Sequence, residues 1–309
     1  MGYFTKKRND TEFNNKKRKR KITMNGILGA IIGDICGSVY EFNNAKTFDE
    51  IEMFPKNCKY TDDTVLTCAV AKWLVETEDT SDKNLTELTK IIKNTVRKHP
   101  FCGYGGMFRK WFNSDSMEPF GSYGNGSAMR CSPTAYFANT LEEAIDLAAK
   151  SAKVTHNHPE GIKGAKATAA AIFFARSRES KQTIKERIEE MFGYKLGATV
   201  EEMRNKHGFN ATCQITVPEA INAFLEGNTF EEVIKKAIWI GGDTDTIAAI
   251  AGSIAAAYYG IPNTFIENCI VNLTEDLKEI ILKFTEKCNE KLIHRSFKET
   301  FEQFDDNLY

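Results

Sequence analysis

An all-α fold, a single compact multi-helix domain, is predicted by three features of this sequence. Apolar residues recur at helical spacing along almost the whole chain, and strand-like alternation is scarce. Helix-start pairs also stand directly before apolar runs: Asn84 with Glu87, Thr140 with Glu143 and Thr229 with Glu232. Hydrophobic residues make up 42% and charged residues 27% of 309, the balance of an ordinary globular protein. A net charge of -1 provides no overall field for nucleic acid or an anionic membrane.

Taken in order, residues 1–23 are rich in Lys, Arg, Asn and Thr and carry no helical or strand period. They read as a disordered extension, with one domain following over 24–309. Lys16–Lys21 (KKRKRK) has the composition of a nuclear signal or a nucleic-acid contact, and equally of a solvated tail before an alternative start at Met24. A secretory signal is disfavoured because the apolar run Ile27–Ile32 is only six residues long before Asp34 follows.

The first helix carries small residues on one face at Gly26, Ala30, Gly33 and Gly37. Leu66, Ala69, Val70, Trp73 and Leu74 form a second face, and Leu85, Leu88, Ile92 and Val96 a third. Leu141, Ile145, Ala148 and Ala152 follow, then an alanine-rich block over Ala165–Ala175. Val233, Ala237 and Ile240 precede a buried face of Ile247, Ile250, Ala251, Ile254 and Tyr258, which stops at Gly260 and Pro262. Leu277, Ile281, Phe284, Cys288 and Leu292 make the last helix. The eight cysteines include no CxxC pair, which argues against a zinc site or redox dithiol. Cys36, Cys68 and Cys288 lie on apolar faces, as small hydrophobes in a reducing cytoplasm.

The informative polar residues stand against these faces. Asp34 and Glu41 are seven residues apart, which two helical turns bring to one side with Ser38 between them. Thr61-Asp62-Asp63-Thr64 and Asp243-Thr244-Asp245-Thr246 each open an apolar helix, where backbone N–H groups favour negative charge. Either cluster alone is accounted for by capping. Together they crowd more oxygens than capping uses, and with the separate Glu41 their five neighbouring carboxylates repel unless cations neutralise them. Hard oxygen donors suit Mg²⁺ or Mn²⁺. Two glycine-rich loops, 102–106 (CGYGG) and 121–128 (GSYGNGSA), let backbone N–H groups approach an anion, as surface turns of the same composition also do. His156 and His158 form a pair without a third ligand, more in keeping with hydrogen bonding than with metal binding.

Five segments, in order, resemble the signatures of the ADP-ribosylglycohydrolase family. They are GAIIGDICGSVYEF (29–42), YTDDTVLT (60–67), SYGNGSAMRCSP (122–133), THNHPEGIKGA (155–165) and IGGDTDTIAAIAGSIAAAYYGIP (240–262). The likeness spans 25–262, leaving 1–23 without a counterpart and 178–215 weakly matched.

The resemblance implies an all-α hydrolase with two Mg²⁺ (or Mn²⁺) ions at the bottom of a central cleft. Its metal ligands would be Thr61, Asp62, Asp63, Asp243, Asp245 and Thr246, with Asp245 as the bridge. Glu41 would be the acid or base, with Asp62 and Asp63 as alternatives. Asn125, Gly126, Ser127 and Met129 would contact the diphosphate and distal ribose. Gly103, Gly105 and Gly106 would face the phosphates, and His156 and His158 would edge the pocket. The implied substrate is an ADP-ribosylated protein or small molecule, with no membrane partner and nucleic acid only through the basic tail. Localisation is expected to be cytoplasmic, or nuclear through Lys16–Lys21 in a eukaryote. A free nucleotide-sugar substrate, and a non-catalytic relative such as the lens crystallins of this family, stand as rivals.

Overall fold

The structure is a computed structural model, and it describes residues 26–305 except 79, 81–83, 205 and 207. The readings of 1–23 and of Met24 fall outside these residues. The helices run α1 Gly26–Gly37, α2 Asp62–Glu76, α3 Leu85–Lys98, α4 Gly106–Asn113, α5 Gly126–Met129, α6 Ser132–Phe137, α7 Leu141–Lys153 and α8 Pro159–Arg176. They continue with α9 Lys181–Phe192, α10 Val200–Arg204, α11 Cys213–Glu226, α12 Phe230–Ile240, α13 Thr244–Tyr259, α14 Asn263–Val271 and α15 Glu275–Asp305. Among the described residues, the one β-pairing is an isolated antiparallel bridge between Gly124 and Thr212.

Helices α1 and α13 cross at the centre of the molecule. Gly33 lies against the Ala248 backbone and Gly37 against Thr244 and Asp245, so closely that a methyl at either would overlap them. Gly33 and Gly37 of the expected small-residue face make this contact, and Gly29, one turn before Gly33, continues it against Gly252. Both central helices are buried almost throughout, and the buried apolar side chains form one contiguous cluster. Helices α2 and α8 also lie within this core, α8 through its run of buried alanines.

Side-chain caps at Thr61, Thr140, His158, Ser180 and Thr229 mark five of the helix starts. Thr140 accepts from the Glu143 amide at 3.1 Å while Glu143 accepts from the Asn139 amide at 2.6 Å. Thr229 and Glu232 repeat the arrangement, Glu232 reaching the Asn228 amide. Asn84 stands at the α3 N-cap but makes no side-chain cap bond. Helices α9 and α11 carry weaker signals. The α9 helix buries only Ile184 and Ile188, a thin stripe, and α11 holds Pro218 inside a helix it would ordinarily break. Among the described residues no helix is long and apolar enough to cross a membrane. All eight cysteines are free, and those at 36, 68 and 288 are buried as expected.

Candidate active site

Asp34 organises the first acidic cluster from inside the protein. It is fully buried on α1 and accepts from the Thr61 amide at 2.9 Å, the Thr61 hydroxyl at 2.7 Å and the Thr64 amide at 3.0 Å. The Thr64 hydroxyl donates to it as well. Burial raises the Asp34 pKa to about 6 in spite of these donors. Held in this way, the N-terminus of α2 points Asp62 and Asp63 into the cleft. The Asp62 amide is anchored on the Cys102 carbonyl at 2.6 Å, which ties the cluster to the CGYGG loop.

Asp34 and Glu41 do not share a helical face. The helix ends at Gly37, and Glu41 follows in a turn that carries it, half-buried, over the cleft. Asp34 is a clamp behind the site, whereas Glu41 lines it.

The second cluster is set by the Gly241-Gly242 pair. Both have positive φ, 83° and 78°, which lets the chain turn sharply from α12 into α13. Oxygens of Glu41, Asp243 and Asp245 then lie within 4.8 Å of one another, an arrangement able to hold a cation. Asn125 donates to Asp243 at 2.7 Å and to Thr216 at 3.0 Å. Across the cleft, the Thr246 hydroxyl donates to Asp63 Oδ2 at 3.2 Å, while Asp63 Oδ1 is buried with no hydrogen-bond partner.

The electrostatics follow from crowding like charges in a buried place. Burial, then neighbouring carboxylates, pushes Asp62, Asp63 and Asp245 well above the usual carboxylate range. Burial first, then Asp243 and Asp34, raises Glu41 to about 7, with Lys59 opposing. An orphaned buried oxygen among mutually repelling carboxylates fits hard divalent cations.

These residues line a cleft of about 730 Å³. Thr61, Asp62, Asp63, Asp243, Asp245, Thr246 and Glu41 all face it, together with Gly103, Gly105, Gly106, Asn125, Gly126, Met129 and His156. Gly105 and Gly106 have open space where a side chain would stand, leaving the amides at the start of α4 approachable.

Ser127 and His158 are not among the lining residues. Ser127 is fully buried and donates to the Gly161 carbonyl at 2.7 Å, a bond that docks α5 on α8. His158 is the N-cap of α8, where its Nδ1 accepts from the Glu160 amide at 3.1 Å.

Other lining residues escaped the reading of residue patterns. Phe42 and Phe209 stack at 5.9 Å and Lys59 stands nearby on the cleft wall. Phe42 adjoins Glu41 in sequence, but nothing local marked Phe209. It lies in the weakly matched region, brought over by the Asn125 amide on the Ala211 carbonyl at 2.9 Å. Arg130, inside the quoted 122–133 segment, is also fully buried against the cleft.

In this all-α bundle the N-termini of α2 and α13 bring two acidic clusters to one cleft. A sequence model of the ADP-ribosylglycohydrolase family matches residues 15–293, and the chain belongs to that family. The match extends beyond the 25–262 likeness at both ends. The chain is 27% identical to ADP-ribosylhydrolase ARH3 of Bos taurus, over 79% of this chain and 87% of the relative. It is 24% identical to ADP-ribosyl-[dinitrogen reductase] glycohydrolase of Rhodospirillum rubrum, over 77% and 85%. A solved ADP-ribosylglycohydrolase-related protein complex shares the fold, with a TM-score of 0.69 and 21% identity, over 88% of this chain and 99% of that one.

Proposed function

We propose that this chain is a Mg²⁺-dependent hydrolase, served also by Mn²⁺, that cleaves the bond between ribose C1″ of ADP-ribose and an acceptor atom. The acceptor is a protein side chain or a small molecule. The observation that carries this reading is the convergence of Glu41, Asp243 and Asp245 within 4.8 Å, opposite an Asp63 oxygen buried without a donor. The donor set is all oxygen, and Thr61, Asp62, Asp63, Asp243, Asp245 and Thr246 would hold two ions. When bound, such ions supply Lewis acidity and a template for a sugar diol and water.

The remaining work falls to the chain's own groups. Asn125 and Thr246 hold Asp243 and Asp63 in place, while Asp34 fixes the backbone beneath Thr61. Departure of the acceptor builds positive charge at C1″, which the surrounding carboxylates stabilise. Glu41 is the group best placed to move a proton. It is half-buried at the cleft wall with a pKa raised to about 7, close to the operating range of a general acid or base. Asp62 and Asp63 are the alternatives. The amides of Gly103, Gly105 and Gly106, with the loop around Asn125, Gly126 and Met129, form the wall suited to a diphosphate. Eight free cysteines, six of them buried, fit a reducing, cytoplasmic site of action.

The test is incubation with substrates ADP-ribosylated on defined residues, with and without Mg²⁺, and identification of the product. Release of free ADP-ribose only with the cation is expected. Release of a different nucleotide product, with no cleavage of any modified acceptor, would replace this reading with a nucleotide-sugar hydrolase.

A further inference from the structure

Behind the cleft wall, three side chains form a hydrogen-bonded chain that begins on a buried cation. Arg130, at the end of α5, is fully buried, and among the described residues no carboxylate pairs with it. Its Nη2 donates to the Ser151 carbonyl at 2.8 Å and to the Thr155 hydroxyl oxygen at 2.7 Å. Burial lowers its pKa to about 10, which leaves it charged at neutral pH. The Thr155 oxygen in turn lies 2.7 Å from His156 Nδ1.

The direction of this chain is set by its first member. A guanidinium has no acceptor, so Arg130 must donate and Thr155 must accept. The one hydrogen of the Thr155 hydroxyl is then free to point at His156 Nδ1, which becomes the acceptor. The reverse arrangement leaves the Thr155 oxygen accepting from both neighbours. Its own buried hydrogen would then have no acceptor among the described residues. The opposite ring nitrogen, Nε2, lies under the Gly124–Gly126 turn, with no protein hydrogen-bond partner among the described residues. A Cβ at Gly126 would stand 3.2 Å from it. His156 lines the cleft there, beside Asn125 and Gly126.

We propose that Arg130 and Thr155 are positioning residues that lock His156 as the Nε2–H tautomer, so that it presents a hydrogen-bond donor to an oxygen of a diphosphate-bearing ligand. The tautomer stands on the hydrogen-bond chain alone; the ligand clause rests on the ADP-ribose reading above. His156 is thereby a neutral donor. Burial, and secondarily the Arg130 charge, hold its pKa well below the ordinary value.

Two-bond ¹H–¹⁵N correlation spectra of the ¹⁵N-labelled, ligand-free protein at neutral pH test this directly. The His156 ring signals are those lost in His156→Gln. The proton is expected on Nε2 in the parent and in Thr155→Ser, which keeps the hydroxyl. In Thr155→Val, near in shape but without the hydroxyl, the pattern should change to a mixture or to Nδ1–H. ADP-ribose affinity, by calorimetry, should fall about tenfold or more in the valine variant and recover in the serine variant. A proton on Nδ1 in the parent, or an unchanged pattern in the valine variant, would overturn the relay. Normal affinity in a valine variant with an altered tautomer would overturn the donor role. Failure of ADP-ribose to bind the parent, with the spectra as expected, would count against the ADP-ribose reading and leave the relay standing. Should the valine variant not fold, the parent and serine spectra still decide the tautomer.

Discussion

Asn125 Nδ2 lies 2.7 Å from Asp243 Oδ2, joining a glycine-rich loop to an acidic cluster 118 positions later in the chain. Asp243 is buried and is repelled by Glu41 and Asp245, so this donor contributes to keeping its carboxylate in place. Asn125→Ala removes a hydrogen bond to a charged group, about 1.5–3 kcal/mol. A fall in kcat/KM of about ten- to a hundredfold is expected, and Asn125→Asp should be worse because it adds a like charge. Steady-state rates at saturating Mg²⁺ check this; rates equal to the parent for the alanine variant would show that Asp243 needs no partner.

Asp245→Ala should abolish turnover while leaving the far-ultraviolet circular dichroism spectrum essentially unchanged, because it removes a cleft-lining carboxylate of the second cluster that the proposed cations need. Chelation should abolish activity in the parent, and Mg²⁺ or Mn²⁺ should restore it. Full activity in excess EDTA refutes a metal-dependent reaction.

Glu41→Gln keeps the side-chain shape and loses both charge and basicity. ADP-ribose binding is expected to stay within about tenfold, or 1.4 kcal/mol, while turnover falls by orders of magnitude. Calorimetry and single-turnover rates separate the two effects. Near-normal turnover would move the proton transfer to Asp62 or Asp63.

Gly33 touches the Ala248 backbone where α1 crosses α13, and Gly37 touches Thr244 and Asp245 one turn on. Gly33→Ala forces the helices apart at an overpacking cost of about 1–3 kcal/mol. The melting temperature should drop by several degrees, and activity should fall because the Asp243–Thr246 segment moves with α13. Thermal melts and rates on the same samples decide it: an unchanged melt would mean that the crossing is looser than the contact distances indicate.

His156 is a base whose pKa is depressed in the folded state, by burial first and then by Arg130. The unfolded chain therefore takes up this proton first as pH falls below the ordinary histidine value of about 6.5. The contribution to stability is absent at neutral pH and becomes increasingly unfavourable as pH falls from there towards the folded pKa. Histidine ring shifts followed from pH 8 to 5.5 should stay flat for His156. A midpoint near 6.5 would contradict the buried, neutral assignment.

The helical period was legible because it reports which face of each segment avoids water, a property held within a dozen neighbouring residues. Thr140 and Thr229 likewise announced their helices through bonds that span three positions. Most of the cleft's acidic groups were readable for a related reason, since Thr61–Asp63 and Asp243–Thr246 are contiguous runs at helix starts and match a family signature. Where long-range packing chose the outcome, local reading erred. Periodicity placed Asp34 and Glu41 on one face, yet the helix ends at Gly37, so one carboxylate became a buried clamp and the other a cleft group.

Ser127 and His158 belong to cleft-lining segments, but their side chains satisfy a buried carbonyl and a helix N-terminus instead. Phe209 reaches the cleft only because the backbone near Ala211 pairs with the Asn125 turn. Arg130 gains its meaning from Thr155, which a different helix end places beside it. Chemistry carried by adjacent residues survives in one dimension; a partner 25 or 118 positions away is chosen by which helices can approach closely enough. For the second acidic cluster that approach is the glycine crossing of α1 and α13, which seats Gly37 directly against Thr244 and Asp245.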